Sequence, residues 1–216
     1  LHRRRHSFPT RRSSDLAAGT AALIFSLQPI LVALLAPRWT GEAVSWLQWF
    51  GLAIAMVGTL TVIVARLEIG PPPLAGFGFA ALALAGITLA TLWEKRFGLS
   101  HHPVSANLIG YSAGLLGLLP FLNWAEIAAV NWTPSFYWAL AYLVIGNSVV
   151  AVGLLLAMIR AGQVSRVSTL LFLVPPLAAL IAWLTLDEPM PLLAWVGLLV
   201  SGGGVYLATR PSKGSA

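Results

Sequence analysis

The sequence predicts an all-α integral membrane protein with about seven transmembrane helices. Three observations predict it: a composition that excludes water as the main solvent, seven successive apolar runs of bilayer length, and a helical hairpin pattern that recurs late in the chain.

Of the 216 residues, 58% are hydrophobic and 9% charged, whereas a soluble domain carries about a quarter charged residues. The mean hydropathy is +0.83. Cysteine is absent, which removes disulfides, thiolate metal sites and a cysteine nucleophile. A formal charge of +6 would ordinarily invite a nucleic-acid reading. Five of the thirteen bases, however, are Arg3, Arg4, Arg5, Arg11 and Arg12 in the first sixteen positions. Without them and Asp15, eight bases face six acids, a net of +2, and no nucleic-acid partner is expected.

Ser7 to Leu16 reads SFPTRRSSDL, and its back-translation, TCT TTC CCT ACA CGA CGC TCT TCC GAT CT, resembles a short-read sequencing adapter in one frame. Residues 1–16 are therefore expected to be a non-native tail that packs against nothing. A disordered basic tail and a signal-peptide n-region are the competing readings. The latter fits poorly, because no small-residue cleavage site precedes the next apolar run.

A bilayer core of about 30 Å takes roughly 20 apolar residues in helix, and only closed backbone hydrogen bonding survives there. The runs are about Ala17–Ala36, Val44–Ala65, Leu74–Trp93, Val104–Leu122, Phe136–Met158, Val167–Leu186 and Leu192–Thr209. Short breaks separate them, with turn or charge signals at Pro37–Thr40, Pro71–Pro73, Glu94–Pro103, Asn123–Pro134 and Asp187–Pro191. One side of the membrane collects Arg38, Lys95, Arg96, Arg160, Arg166, Arg210 and Lys213, while the other holds only Arg66. The acids Glu68, Glu126, Asp187 and Glu188 collect on the base-poor side. The positive-inside rule then places the C-terminus, including the tail 211–216, in the cytoplasm. Trp39, Trp46, Trp93, Trp124, Trp132 and Trp138 fall near span ends, as an aromatic belt would.

Leu27–Gly58 lies on Leu173–Gly204 without a gap, at a constant offset of 146. Pro29 meets Pro175, Ala33 meets Ala179, Glu42 meets Glu188, Trp49 meets Trp195, Gly51 meets Gly197 and Gly58 meets Gly204. Five spans separate the copies, and an odd separation inverts the second in the membrane. Inverted repeats allow a secondary transporter to expose a midplane site alternately to the two sides.

With these residues in view, the chain resembles the EamA-type branch of the drug/metabolite transporter superfamily. The likeness rests on LQPILVALLAPRWTGE…LQWFGLAIAMVG, on LVPPLAALIAWLTLDE…LAWVGLLVSGGG, and on TLWEKRF, where Glu94 stands in place of a more usual Gln. It covers 17–210. The resemblance implies two inverted five-helix repeats, so that 17–66 is the closing hairpin of the first repeat and 74–210 the complete second one. The seven spans then correspond to helices four to ten, and helices one to three are expected to be missing. It implies transport, in the export direction, of a small metabolite, amino acid or drug-like compound across the plasma (inner) membrane. A non-transporting membrane interaction protein or an inactive transporter fragment is the alternative.

Ionisable groups at membrane depth are costly and usually functional; here every one falls at a span end or in a loop, so no proton-relay carboxylate is expected. The polar residues within spans are the remaining candidates, and Gln28, Thr88, Tyr111, Asn147 and Ser168 are taken as the substrate path, turned toward the bundle interior. Each has helix-to-helix bonding as its plainer reading. Pro29, Pro175 and Pro176 are expected to break their helices, since each removes a backbone donor and frees a carbonyl one turn back. No enzyme is expected. A retinal protein needs a lysine in the middle of its last span, but Lys213 lies beyond it, and His101 and His102 sit in a loop. No catalytic residue, metal or cofactor is assigned. The partners expected are the lipid bilayer, a small-molecule substrate and a second copy of the chain.

Overall fold

The computed structural model describes residues 18–66, 74–98, 102–124, 127, 130–186 and 189–210. The tail 1–16, the segment 211–216, Glu68, Glu126, Asp187 and Glu188 lie outside them. Seven helices long and apolar enough to cross a membrane follow in order: span 1 Ala21–Trp39, span 2 Trp46–Ala65, span 3 Gly76–Phe97, span 4 Val104–Phe121, span 5 Pro134–Ala161, span 6 Val164–Thr185 and span 7 Leu192–Thr209. The fold class is the one the composition and run lengths predict.

Two ends differ from expectation. Span 1 runs through Pro37 to Trp39, because the last turn closes on Ala36, whose carbonyl accepts from both the N–H of Thr40 at 2.8 Å and its Oγ1 at 2.9 Å. Span 3 continues past Trp93 to Phe97, so Glu94, Lys95 and Arg96 are helical rather than loop residues. The two bases in that last turn suit the negative end of the helix dipole.

Spans 2 and 7 make the most extensive contact in the molecule. Glycine permits it. A Cβ placed on Gly51 would lie 2.7 Å from the carbonyl oxygen of Gly204, and one on Gly204 would lie 2.8 Å from that of Gly51. Gly58 and Gly197 repeat the relation at 2.7 Å in each direction. Early residues of span 2 thus meet late residues of span 7, so the two helices are antiparallel. Shifting the Gly51–Gly204 contact by the offset of 146 turns it into the Gly197–Gly58 contact. The contact is therefore its own image under a two-fold axis between the helices, the relation that inverted repeats require.

Span 1 is interrupted at Ser26–Leu27, one turn before Pro29. Span 6 tightens into a 3-10 turn at Leu170–Leu173, before Pro175 and Pro176. These positions coincide under the same offset. The physical cause is the same in both, since proline gives no N–H to the carbonyl four residues back. In span 6 the freed groups find partners: Leu171 O accepts the N–H of Val174, and Phe172 O accepts from Thr59 Oγ1 of span 2 at 2.7 Å. Around this break Ala33, Leu52, Ala55, Phe172 and Val205 form a buried cluster from spans 1, 2, 6 and 7.

Spans 4 and 5 lie to one side. No residue in the apolar window of span 4 is buried. The middle of span 5, Tyr142–Ala151, is a π-helix, a wider winding that is rare and frequent at functional sites. Its Ser148 carbonyl accepts from Asn107 Nδ2 of span 4 at 2.6 Å.

The connections after spans 1, 3 and 5 meet at one end of the bundle. Glu42 accepts the N–H of Val164 at 2.7 Å and pairs with Lys95 Nζ at 3.4 Å. Lys95 Nζ also donates to Gly162 O at 2.6 Å, and Arg96 Nη1 donates to Trp39 O at 3.0 Å. The C-terminus of span 7 reaches the same end, because Ala208 lies against Gly51. Six of the bases grouped by alternation, Arg38 to Arg210, therefore share one face of the molecule.

Gly58→Ala should lower stability by about 1–3 kcal/mol through overpacking of a backbone contact. Gly86→Ala, at a helical position with open space around it, should be neutral or slightly stabilising. Thermal unfolding of the two variants in detergent reads the difference, and equal behaviour would contradict the packing. Lys95→Met strips a donor from the Gly162 carbonyl and the cation from Glu42, and should cost about 1–3 kcal/mol in the same measurement. An unchanged midpoint would show that the cluster contributes nothing.

Candidate functional site

The described structure holds two apolar-walled cavities that share a boundary. The smaller, about 340 Å³, is lined by Phe25, Ser26, Gln28, Leu171, Val174 and Pro175 together with Ala22 and Ile87. It sits between the broken parts of spans 1 and 6, so both helix breaks face the same space. The larger, about 500 Å³, lies among spans 3, 4 and 5 and carries Thr91, Glu94, Asn107 and Tyr111 among apolar residues. Ile87 belongs to both walls.

Gln28 links them. It is 6% exposed and lines the smaller cavity, while its Nε2 donates to Oγ1 of Thr91, in the wall of the larger one, over a long 3.4 Å. Thr91 Oγ1 in turn donates to Ile87 O at 2.7 Å. The amide therefore has a partner, but a weak one that a better ligand can replace.

The other sequence-selected residues divide. Thr88 and Ser168 are buried. Thr88 Oγ1 donates to Leu84 O of its own helix at 2.7 Å, a common way to satisfy a hydroxyl in a span. Ser168 Oγ is buried without a hydrogen-bond partner among the described residues. Tyr111 lines the larger cavity yet is 48% exposed. Asn147 is exposed on the π-helical stretch. Neither of these two is turned into the interior as expected. Span 4 has no buried residue in its window, and the interior that spans 4 and 5 would face is not formed by the other described helices. The structure thus brings Gln28 and Tyr111 to adjoining cavities and leaves Asn147 apart. Pro29, Pro175 and Pro176 stand at the interruptions, with Pro175 in the cavity wall.

Sequence reasoning passed over Glu94. The extension of span 3 puts Ile87, Thr91 and Glu94 on one helical face at i, i+4 and i+7, and all three line the larger cavity. Glu94 Oε1 accepts from Arg160 Nε of span 5 at 2.6 Å and lies 2.5 Å from Arg160 Nη2. The spacing was available in TLWEKRF; the charged triplet had marked it as a loop. Among the described residues no group of three His, Asp or Glu is arranged to hold a metal.

Comparison with known proteins matches this arrangement. The chain is 25% identical over 201 residues to the uncharacterized transporter YvbV of Bacillus subtilis, covering 92% of this chain and 65% of that one. It is 29% identical to a protein named as a probable terminal-alkyne amino-acid exporter of Streptantibioticus cattleyicolor, with 91% and 66% covered. To a probable amino-acid metabolite efflux pump of Escherichia coli it is 25% identical, with 89% and 67% covered. The chain thus spans about two thirds of the length of these relatives. A solved crystal structure superposes with a TM-score of 0.75 at 21% identity, over 89% of this chain and 67% of that one, which shows a shared fold. The EamA-like transporter family matches residues 14–64 and 74–210, and this multi-spanning membrane protein belongs to that family.

Proposed function

We propose that the chain carries a small molecule across the membrane by alternating access, with the cavity between the broken spans 1 and 6 as part of the path. The observation that carries this reading is the coincidence of both helix breaks and Gln28 on one cavity, beside a pair of helices related by a two-fold axis. Two antiparallel copies of one hairpin have equivalent packing in two orientations, so rocking one against the other exposes the space between them alternately. Family membership supports transport. The names of two relatives, an amino-acid exporter and an amino-acid metabolite efflux pump, support export of a metabolite, amino acid or drug-like compound.

The substrate path is assigned to Gln28, Thr88, Tyr111, Asn147 and Ser168, with Gln28 as its best-placed member. Segments 17–66 and 74–210 are read as parts of two inverted repeats. The base-rich end is assigned to the cytoplasm by the positive-inside rule, and the membrane to the plasma (inner) membrane.

Gln28→Leu keeps the size and removes the amide. In reconstituted vesicles it should reduce substrate flux about tenfold, the value of one lost hydrogen bond to a ligand, with the unfolding midpoint largely kept. Unchanged flux across amino acids, metabolites and drugs would make Gln28 a packing residue. A reporter fused after Ala216 should be shielded from added protease in sealed right-side-out cells; digestion would reverse the orientation.

A further inference from the structure

The larger cavity ends on two opposite charges that have each other for a partner. Glu94 is 17% exposed at its side chain and Arg160 10%. Glu94 borders not only the 500 Å³ cavity but a neighbouring one of about 400 Å³, with Trp93, Phe97 and Gly98. Its sequence neighbour Lys95 is not its counterion, because Lys95 is held by Glu42 and by the carbonyls of Gly162 and Arg160. The two ion pairs therefore differ in setting. Glu42 and Lys95 tie connections together through the backbone, whereas Glu94 and Arg160 meet at a cavity wall.

Such a wall selects by charge balance. A ligand with a single positive charge that displaced Arg160 from Glu94 would leave the guanidinium unmatched in a weakly solvated place, and a single negative charge would strand the carboxylate. A neutral ligand leaves the pair unbroken and gains nothing from it. A molecule with an ammonium and a carboxylate on neighbouring atoms replaces both partners at once. The planar fork of arginine suits a carboxylate in particular. Below the pair, Thr91, Asn107 and Tyr111 offer hydrogen bonds, and Ile87, Val152, Leu155, Leu156 and Ile159 offer an apolar wall.

We propose that Glu94 and Arg160 read the head group of a zwitterionic ligand, ammonium to Glu94 and carboxylate to Arg160, with the apolar body of the ligand in the cavity among spans 3, 4 and 5. This rests on the transport reading and adds the residues that set specificity.

The test uses the full chain purified in detergent and ligand-induced thermal stabilisation by L-leucine, by leucinamide as the cation and by N-acetyl-leucine as the anion. Wild type should respond to leucine at concentrations at least about tenfold lower than to either analogue, a difference of about 1.4 kcal/mol. Glu94→Gln leaves an unmatched guanidinium, so its preference should move to N-acetyl-leucine. Arg160→Gln should move it to leucinamide. A structural role for the pair would lower all three responses together without this crossover. If both variants fail to fold, the wild-type ranking still decides: equal responses to the three, or none to leucine, overturn the proposal. Flux in vesicles separates the two readings. Flux indifferent to head-group charge keeps transport and removes this site, whereas leucine-specific stabilisation without any flux keeps the site and removes transport.

Discussion

At Gly51, Gly58, Gly197 and Gly204 two helix backbones touch with no side chain between them. In lipid no hydrophobic force drives helices together, so close packing of this kind must supply the attraction. It also fixes direction. Because the same four glycines serve both helices in exchanged roles, the first hairpin and the last are held as mates about one axis, and the breaks in spans 1 and 6 are brought to a common cavity. Spans 3 to 5 then pack around this frame, and their weaker burial reflects their distance from it.

Proline sets the second constraint. Each one in a span leaves a carbonyl that lipid will not solvate, and the structure meets the cost locally. Val174 answers for Leu171, and Thr59, from the helix held by the glycine contact, answers for Phe172. A helix that must be interrupted at midspan without exposing its backbone needs a neighbour at a fixed distance. The glycine contact keeps that neighbour in place. Charges are confined to the far end of the same frame, where Glu42, Lys95 and Arg96 bind connections to carbonyls rather than to solvent alone.

Much of this was legible. The seven spans follow from run length, and the reciprocal contact was implicit in the pairs Gly51 with Gly197 and Gly58 with Gly204, because inversion sends each glycine to the mate of its equivalent. The grouping of Arg38, Lys95, Arg160 and Arg210 at one end followed from alternation. The π-helix of span 5 was not legible, since Gly146, Asn147 and Ser148 sit in a run as apolar as any other and winding depends on i to i+5 bonding that hydropathy does not sense. Glu94 was misplaced because a charge triplet resembles a loop, although Arg160, sixty-six residues on, lets it stay helical. The exposure of Tyr111 and Asn147 was equally hidden, for hydropathy says that a face is apolar and not what stands opposite it.

The inverted pairing of spans 2 and 7 is the claim on which the cavity, the breaks and the transport reading all depend. The chain has no cysteine, so paired cysteines report on it without background. Ala65 and Ala194 pack in one cluster, whereas Ala208 lies at the opposite end of the bundle, against Gly51. Oxidation in native membranes should join Ala65→Cys to Ala194→Cys readily and leave Ala65→Cys with Ala208→Cys unlinked. Efficient linkage of 65 to 208 and none of 65 to 194 would mean that the two helices run parallel, and the inverted repeat would fall with them.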